Sequence, residues 1–428
     1  MNRNEFSSHH LEETLTAKLA VIADDLTGAC DTACQFSLYG FLPEVVHSAG
    51  CSERQPQFLV CNSESRKDDA GAAQQKIFNI ASALLRTQYQ PFYKKLDSTL
   101  KGPWCAELAG MAKAVQPEIV VVAPAFPAWG RTTVEGIQCV QGRPVWESRF
   151  HALPHGDGPL AAEPGDLLHA MQSQFGKRVR HVRRTSLKRG AAAVAKEMDA
   201  ARFQGFPYQV FDAVVDEDLK TIALAGCRLE RRILWVGSGG LARCLPRAWG
   251  LRTQRRECYL SCPQTMAING SFNPANKEQL GCLEQEGTTV YWIEDEDADD
   301  GTRCRRKVES LLGLLDQGRD VALSVRLNKP IRSASQLQRL QDALQFAATH
   351  CLAAPDKIGL ILIGGDTAIK LYRNLGADAI RIEGEVQPGV PHGRWVGGRL
   401  DGQPVVTKAG GFGQADTLIR AVAFLKGT

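Results

Sequence analysis

Short apolar runs alternate along this chain with longer stretches whose apolar residues recur at helical spacing. The runs "KLAVIAD", "EVVH", "QFLVCNS", "FYKKLD", "EIVVVAPAF", "YQVFDAV" and "RILWVGS" form a first series of candidate strands. Between them lie segments with helical period, such as "DDAGAAQQKIFNIASALLRT" and "LKRGAAAVAKEMDAARF". A second series begins near residue 263 with "TMAING", "TTVYWIE", "VALSVR", "GLILIGGD" and "PVVTKAGG", again with helical stretches between. Strand–helix–strand alternation predicts an α/β fold, mainly parallel sheets covered by helices on both faces. The stretch "WGLRTQRRECYLSCP" separates the two series and carries few strand signals. A chain of 428 residues exceeds one ordinary core. Two domains are expected, residues 1–250 and 263–428, with a linker at about 251–262.

Composition narrows the function classes. The net charge of +4 is mild and the basic residues are scattered, which argues against nucleic acid as a partner. The clusters "KRVRHVRR" (Lys177 to Arg184) and "RCRRK" (Arg303 to Lys307) read as solvated helix faces. Thirteen cysteines form no C-x-x-C pair and suit small apolar residues in a reducing, cytoplasmic protein. His151 and His155 are four apart, but Pro154 between them spoils a helical ligand pair. The polar start "MNRNEFSSHHLEETLTAK" has no signal-peptide core, and no apolar run has the length of a membrane span.

In open α/β sheets, ligands bind outside the carboxyl ends of the strands, so the residues just past each apolar run carry the candidate chemistry. In the first half these are Asp24 and Asp25, the segment Asn62 to Arg66, Lys94 and Lys95, Asp97 to Thr99, and Phe126 to Thr132, which includes Arg131. Carboxylates accept protons from sugar hydroxyls, while Arg and Lys clamp a carboxylate. The set suits a small polyhydroxylated anion. In the second half the strand ends read "NGSFNP" (Asn269 to Pro274), "GGDT" (Gly364 to Thr367) and "KAGGFG" (Lys408 to Gly413). Glycine lets backbone N–H groups approach phosphate oxygens, and a following helix adds its dipole. One half reads as a sugar-acid site and the other as a nucleotide-phosphate site.

Each motif has a plainer structural alternative. Asp25 or Thr27 can cap the next helix, though a cap accounts for one Asp better than for two. Arg66 alone reads as a loop charge, and "GGDT" as a helix start capped by Asp366 or Thr367. "GSGG" (Gly237 to Gly240) lacks the dinucleotide spacing and reads as a structural turn, which disfavours an NAD-dependent dehydrogenase. No G-x-x-x-x-G-K-[ST] occurs, which excludes a P-loop kinase.

Taken together, "IADDLTGACDTA", "KKLDSTLKG", "APAFPAWGRTTVEG", "GGDT", "PGVPHG" and "KAGGFG" resemble the four-carbon acid sugar kinases, in family order from about Lys18 to Lys426. The resemblance implies a two-domain kinase with its active site in the interdomain cleft. It uses ATP, with Mg²⁺ carried by the phosphates. The acid is D-threonate, converted to D-threonate 4-phosphate, with D-erythronate and 3-oxo-tetronate as alternatives. On the substrate side the resemblance points to Asp24, Asp25, Arg66, Lys95, Leu96, Asp97, Ser98 and Arg131. On the nucleotide side it points to Ser271, Gly364, Gly365, Asp366, Thr367, Gly410 and Gly411. Asp25 is the expected proton acceptor, with Asp24 orienting the substrate. A nucleotide-regulated sugar-acid sensor without turnover is the rival from another class. The oligomeric state stays open, a homo-oligomer included.

Overall fold

The computed structural model describes residues 17–47, 55–148, 165–254, 260–326, 333–352 and 358–428. The N-terminal stretch before residue 17, the His151–His155 pair and residues 255–259 of the expected linker lie outside the described residues. The chain divides into two compact units, Met1–Gln254 and Arg255–Thr428.

The strands of the first unit are β1 (Lys18–Ala23), β2 (Glu44–His47), β3 (Phe58–Asn62), β4 (Tyr89–Lys95), β5 (Ile119–Ala123), β6 (Arg131–Val134), β7 (Ile137–Val140), β8 (Arg143–Pro144), β9 (Val179–Val182), β10 (Tyr208–Phe211) and β11 (Ile233–Gly237). Its main sheet is parallel, in the order β2-β3-β1-β4-β11-β5-β10-β9. Every residue of β5, Ile-Val-Val-Val-Ala, is buried, as a strand covered on both faces requires. The helix Ala70–Arg86 buries Ala73, Ile77, Ile80, Ala81 and Leu84, one stripe at helical spacing, and starts at the side-chain cap of Asp69. The chain passes from β1 to β3 on one side and reaches β4 on the other. The carboxyl ends of β1 and β4 therefore form a switch point, the usual place for a ligand crevice.

Two parts of this unit differ from the sequence expectation. "KRVRHVRR" is not a helix face: its centre is β9, where Val179 and Val182 are buried and Arg180 and His181 half-buried. β9 is paired only on one side, and an edge strand tolerates charge. The segment after "PAFPAWG" folds into a separate antiparallel sheet, β6-β7-β8.

The second unit contains β12 (Thr265–Asn269), β13 (Thr289–Ile293), β14 (Val321–Val325), β15 (Gly359–Ile363), β16 (Ala379–Gln387), β17 (Val390–Val396) and β18 (Pro404–Lys408). Their order is β13-β14-β12-β15-β18-β17-β16. The first five are parallel, and β17 runs antiparallel to both β18 and β16. The hairpin β16–β17, absent from the series of candidate strands, turns at Pro388 and Gly389, with Gly389 at φ 78°. Ile361, Ile363, Val406, Leu418, Ala421 and Leu425 form the centre of one buried cluster. Among the described residues no helix is long and apolar enough to cross a membrane.

Candidate active site

The two carboxylates that end β1 differ in environment. Asp24 is 2% exposed, whereas the Asp25 side chain is 19% exposed. Asp25 is the N-cap of the helix Leu26–Ser37: its Oδ1 accepts the Gly28 N–H at 2.8 Å, and its Oδ2 accepts the Thr27 hydroxyl at 2.9 Å. The structural alternative therefore holds for Asp25, but it leaves Asp24 unexplained. Arg66, in the loop after β3, accounts for both. Its Nε donates to Asp24 Oδ2 at 2.7 Å and its Nη1 donates to Asp25 Oδ2 at 2.7 Å. One guanidinium thus holds two carboxylates that would otherwise repel each other.

Electrostatics around this bridge are tightly coupled. Burial pushes the Asp24 carboxyl up, but Arg66, Lys94 and Lys95 outweigh it and hold the group below the usual carboxylate range. Asp97 is likewise depressed, with burial opposed by Arg66, Lys101, the Thr99 hydroxyl and Lys95. Burial lowers the Arg66 value, and Asp24, Asp25 and Asp97 raise it further, so it stays charged. Asp24 Oδ1 is buried with no hydrogen-bond partner. Lys95 is 5% exposed and donates to Leu96 O at 2.8 Å. Gly28 is needed here: a Cβ would stand 2.5 Å from Asp25 Oδ1 and 3.0 Å from Lys95 Nζ.

A second layer supports these residues. Lys94 is fully buried and pairs with Glu107 Oε2 at 2.8 Å. Glu107 accepts from Ser65, which lies 2.7 Å from Ser63, and Ser63 donates to Ala23 O at 2.8 Å. This buried chain ties the ends of β1, β3 and β4 together. Leu96 is fully buried, so only its backbone can face a ligand. Ser98 is buried and its carbonyl accepts from Gln138 Nε2 at 2.7 Å. Asp97 accepts from Thr99 N at 3.2 Å. Arg131 is buried at the start of β6, in the hairpin sheet, and donates to Trp129 O. "GSGG" is a structural turn: Ser238 caps the helix Gly239–Ala248 and donates to Ala125 O at 2.9 Å.

In the second unit the three glycine-bearing loops converge on Ser271. Asn269, ending β12, folds its loop by accepting Ser271 N at 3.1 Å and donating to Ser271 O at 3.2 Å. Gly364 has φ 97°, and a Cβ there would lie 3.4 Å from Ser271 Cβ. A Cβ on Gly410 would collide with Ser271 Oγ. The N-cap position of the helix Gly365–Asn374 is held by Gly364, which has no side chain to cap it. A helix N-terminus opened by glycine is an arrangement suited to phosphate. Asp366 is exposed in the first turn, and Thr367 is buried. Gly411 is exposed.

Three residues here had no role assigned from the sequence. Lys408, which ends β18, is buried and donates to Asn276 Oδ1, Ala409 O and Phe412 O. Burial lowers its pKa to about 7. Asn276 and Gln279 lie one turn apart on the buried side of the helix Pro274–Gln285. A lysine closing the apolar run "PVVT" was the signal for the first. Polar residues in "NPANKEQ" gave none for the others, because their pattern is that of a solvated helix.

Comparison with known proteins agrees with this division of chemistry. A family model described as a sugar-binding N-terminal domain matches residues 19–245, and one described as a nucleotide-binding C-terminal domain matches residues 266–418. A D-threonate kinase of Salmonella typhimurium is 32% identical over 430 residues, covering 96% of this chain and 98% of the relative. A D-threonate kinase of Bordetella bronchiseptica is 31% identical, covering 95% and 97%. A crystal structure from Salmonella typhimurium LT2 shares the fold with a TM-score of 0.80 at 22% identity, covering 94% and 98%. The chain belongs to the four-carbon acid sugar kinase family.

Proposed function

We propose that this kinase transfers the γ-phosphoryl group of ATP to D-threonate, giving D-threonate 4-phosphate and ADP. The observation that carries the reading is the Arg66 bridge across Asp24 and Asp25 at the switch point, with the Lys95 ammonium beside it. Arg66 spends one N–H on each Asp. Its remaining donors, with Lys95, are available to the acid's carboxylate. Asp25, the more exposed of the pair, takes the proton of the attacking hydroxyl while Asp24 keeps Arg66 in place. The new bond joins that hydroxyl oxygen to the γ-phosphorus, and the bond from phosphorus to the ADP oxygen breaks.

The N-terminus of the helix Gly365–Asn374 and the Ser271 hydroxyl supply donors for the triphosphate. Among the described residues no group of three His, Cys, Asp or Glu side chains could hold a metal alone. The donors at the second unit, hydroxyls and the first-turn carboxylate of Asp366, suit a Mg²⁺ ion held chiefly by phosphates. When bound, such an ion would neutralise charge on the phosphates. D-threonate as the acid rests on what the two relatives are named for.

ADP release measured across D-threonate, D-erythronate, 3-oxo-tetronate and the corresponding neutral polyol tests the reading. D-threonate should give the highest kcat/KM and the polyol the lowest. Preference for one of the other acids would reassign the substrate. Binding of acid and nucleotide without ADP release would favour the sensor.

A further inference from the structure

Lys408 closes β18 with its side chain 1% exposed, and among the described residues it forms no ion pair. Its ammonium donates to three neutral acceptors: Asn276 Oδ1 at 2.9 Å, Phe412 O at 2.9 Å and Ala409 O at 3.2 Å. Gln279, one turn along the same helix as Asn276, donates to Phe412 O as well, at 3.1 Å. The Phe412 N–H donates to Ala409 O at 3.1 Å, so residues 409–412 form a turn with Gly410 and Gly411 at its centre. The polypeptide geometry then fixes what the turn presents. Within one trans peptide, C=O and N–H point opposite ways. Drawing Ala409 O toward Lys408 therefore aims the Gly410 N–H away from it. A buried ammonium without a counter-ion is costly, and an apolar residue would fill this strand position without that cost.

We propose that Lys408, with Asn276 and Gln279, is the positioning group of the nucleotide loop: it sets the Ala409–Phe412 turn so that Gly410 and Gly411 offer backbone N–H groups to phosphate, and it supplies buried positive charge behind them. This rests on the assignment of the nucleotide to the second unit. An ammonium has three donors for the three acceptors, whereas a neutral amine has two and turns a lone pair on the third. The groups facing Lys408 do not titrate near neutrality. The helix contributes Asn276 and Gln279, and the turn contributes two carbonyls. β15 sets Ile363 opposite Lys408, and β17 sets His392 opposite Val406, with burial lowering the His392 pKa to about 4. Loss of the Lys408 proton near pH 7 loosens the turn, and bound phosphate opposes that loss.

Calorimetry of ADP with Mg²⁺ from pH 6 to 8.5 tests this on wild type, Lys408→Met, Asn276→Asp and Gly365→Val. Lys408→Met should bind about tenfold or more weakly at pH 6.5 and lose the part of the pH dependence that is not ADP's own. Asn276→Asp sacrifices no protein hydrogen bond at Nδ2, which has none, and places a carboxylate on the ammonium. It should move the midpoint of affinity loss to higher pH by about one unit. A merely structural lysine would shift the melting temperature in both variants and leave that midpoint fixed. Unchanged affinity in Lys408→Met overturns the proposal. If Lys408→Met does not fold, an unmoved midpoint in Asn276→Asp overturns it. Unchanged affinity in Gly365→Val would instead remove the nucleotide assignment, and weakened binding there with normal Lys408→Met removes the clamp alone.

Discussion

The two units place opposite chemistry at the carboxyl ends of their parallel strands. At the carboxyl ends of β1, β3 and β4, the first unit gathers Asp24, Asp25, Arg66, Lys95 and Asp97, charges of both signs held by one another. At the ends of β12, β15 and β18, the second unit keeps side chains small and exposes backbone, with one buried cation that has no carboxylate partner. A hydroxylated acid is recognised by directed charges that must be fixed in advance. A phosphate chain is recognised by N–H groups that glycine leaves uncovered. Under the proposed assignment the strand ends of a parallel sheet can be furnished for either ligand, and the residues placed just beyond them decide between the two.

The largest expected break in this comparison is Asp25→Asn. Asn caps a helix about as well as Asp, so the fold should survive. The variant loses the basic oxygen, and kcat should fall about 10²–10⁴-fold with ATP affinity unchanged. Kinetic titrations beside Asp24→Asn decide the roles; loss of turnover only in Asp24→Asn would exchange them. Next, Gly410→Val pushes into Ser271 and spoils the phosphate loop. ATP binding should weaken about a hundredfold, the loss of about two charge-assisted hydrogen bonds. Acid binding, measured by calorimetry, should stay as it was. Arg66→Ala should lower kcat/KM about tenfold or more and narrow the preference for acid over neutral polyol. It should also lower the melting temperature, because Asp24 stays buried without its cation.

The smallest effect sharpens the comparison through pH. Asp24 and Asp97 titrate below their unfolded values, so the stability they add is full above about pH 4 and fades as pH falls through their folded values. Lys408 acts in the other direction. Its folded value of about 7 lies below the unfolded one, so the folded state holds fewer protons between them. Stability from this group rises with pH above about 7 and levels off near pH 10. Thermal melts across both windows should show Arg66→Ala flattening the acid limb and Lys408→Met flattening the alkaline one.

Much of this arrangement was legible in the chain. Apolar runs such as those of β1, β5, β15 and β18 became strands because they are buried on both faces of the sheet, whereas "TTVYWIE" became the half-buried edge strand β13. β9 was misread because Val179 and Val182 are two apolar residues among arginines, and the pattern reveals a strand only once β10 lies beside it. The Asp pair, Arg66 and the glycine loops were visible as residue types. Their mutual contacts were not: Arg66 is 42 residues from Asp24, and only the β1–β3 pairing brings them together. Asn276 and Gln279 were hidden because their partners, the Lys408 ammonium and the Phe412 carbonyl, lie 132 and 133 residues away along the chain.

Asp25 both starts the helix Leu26–Ser37 and stands in the proposed acid site. Selection on this position therefore acts twice, through folding and through turnover, and the two filters are unequal. Folding admits Asp, Asn, Ser or Thr, whereas the proposed proton transfer admits Asp alone. A descendant that abandoned catalysis but kept its ligands would retain a short polar residue at this position rather than drift freely. Asn or Ser there, beside an intact Arg66, would mark a lineage that has become a receptor.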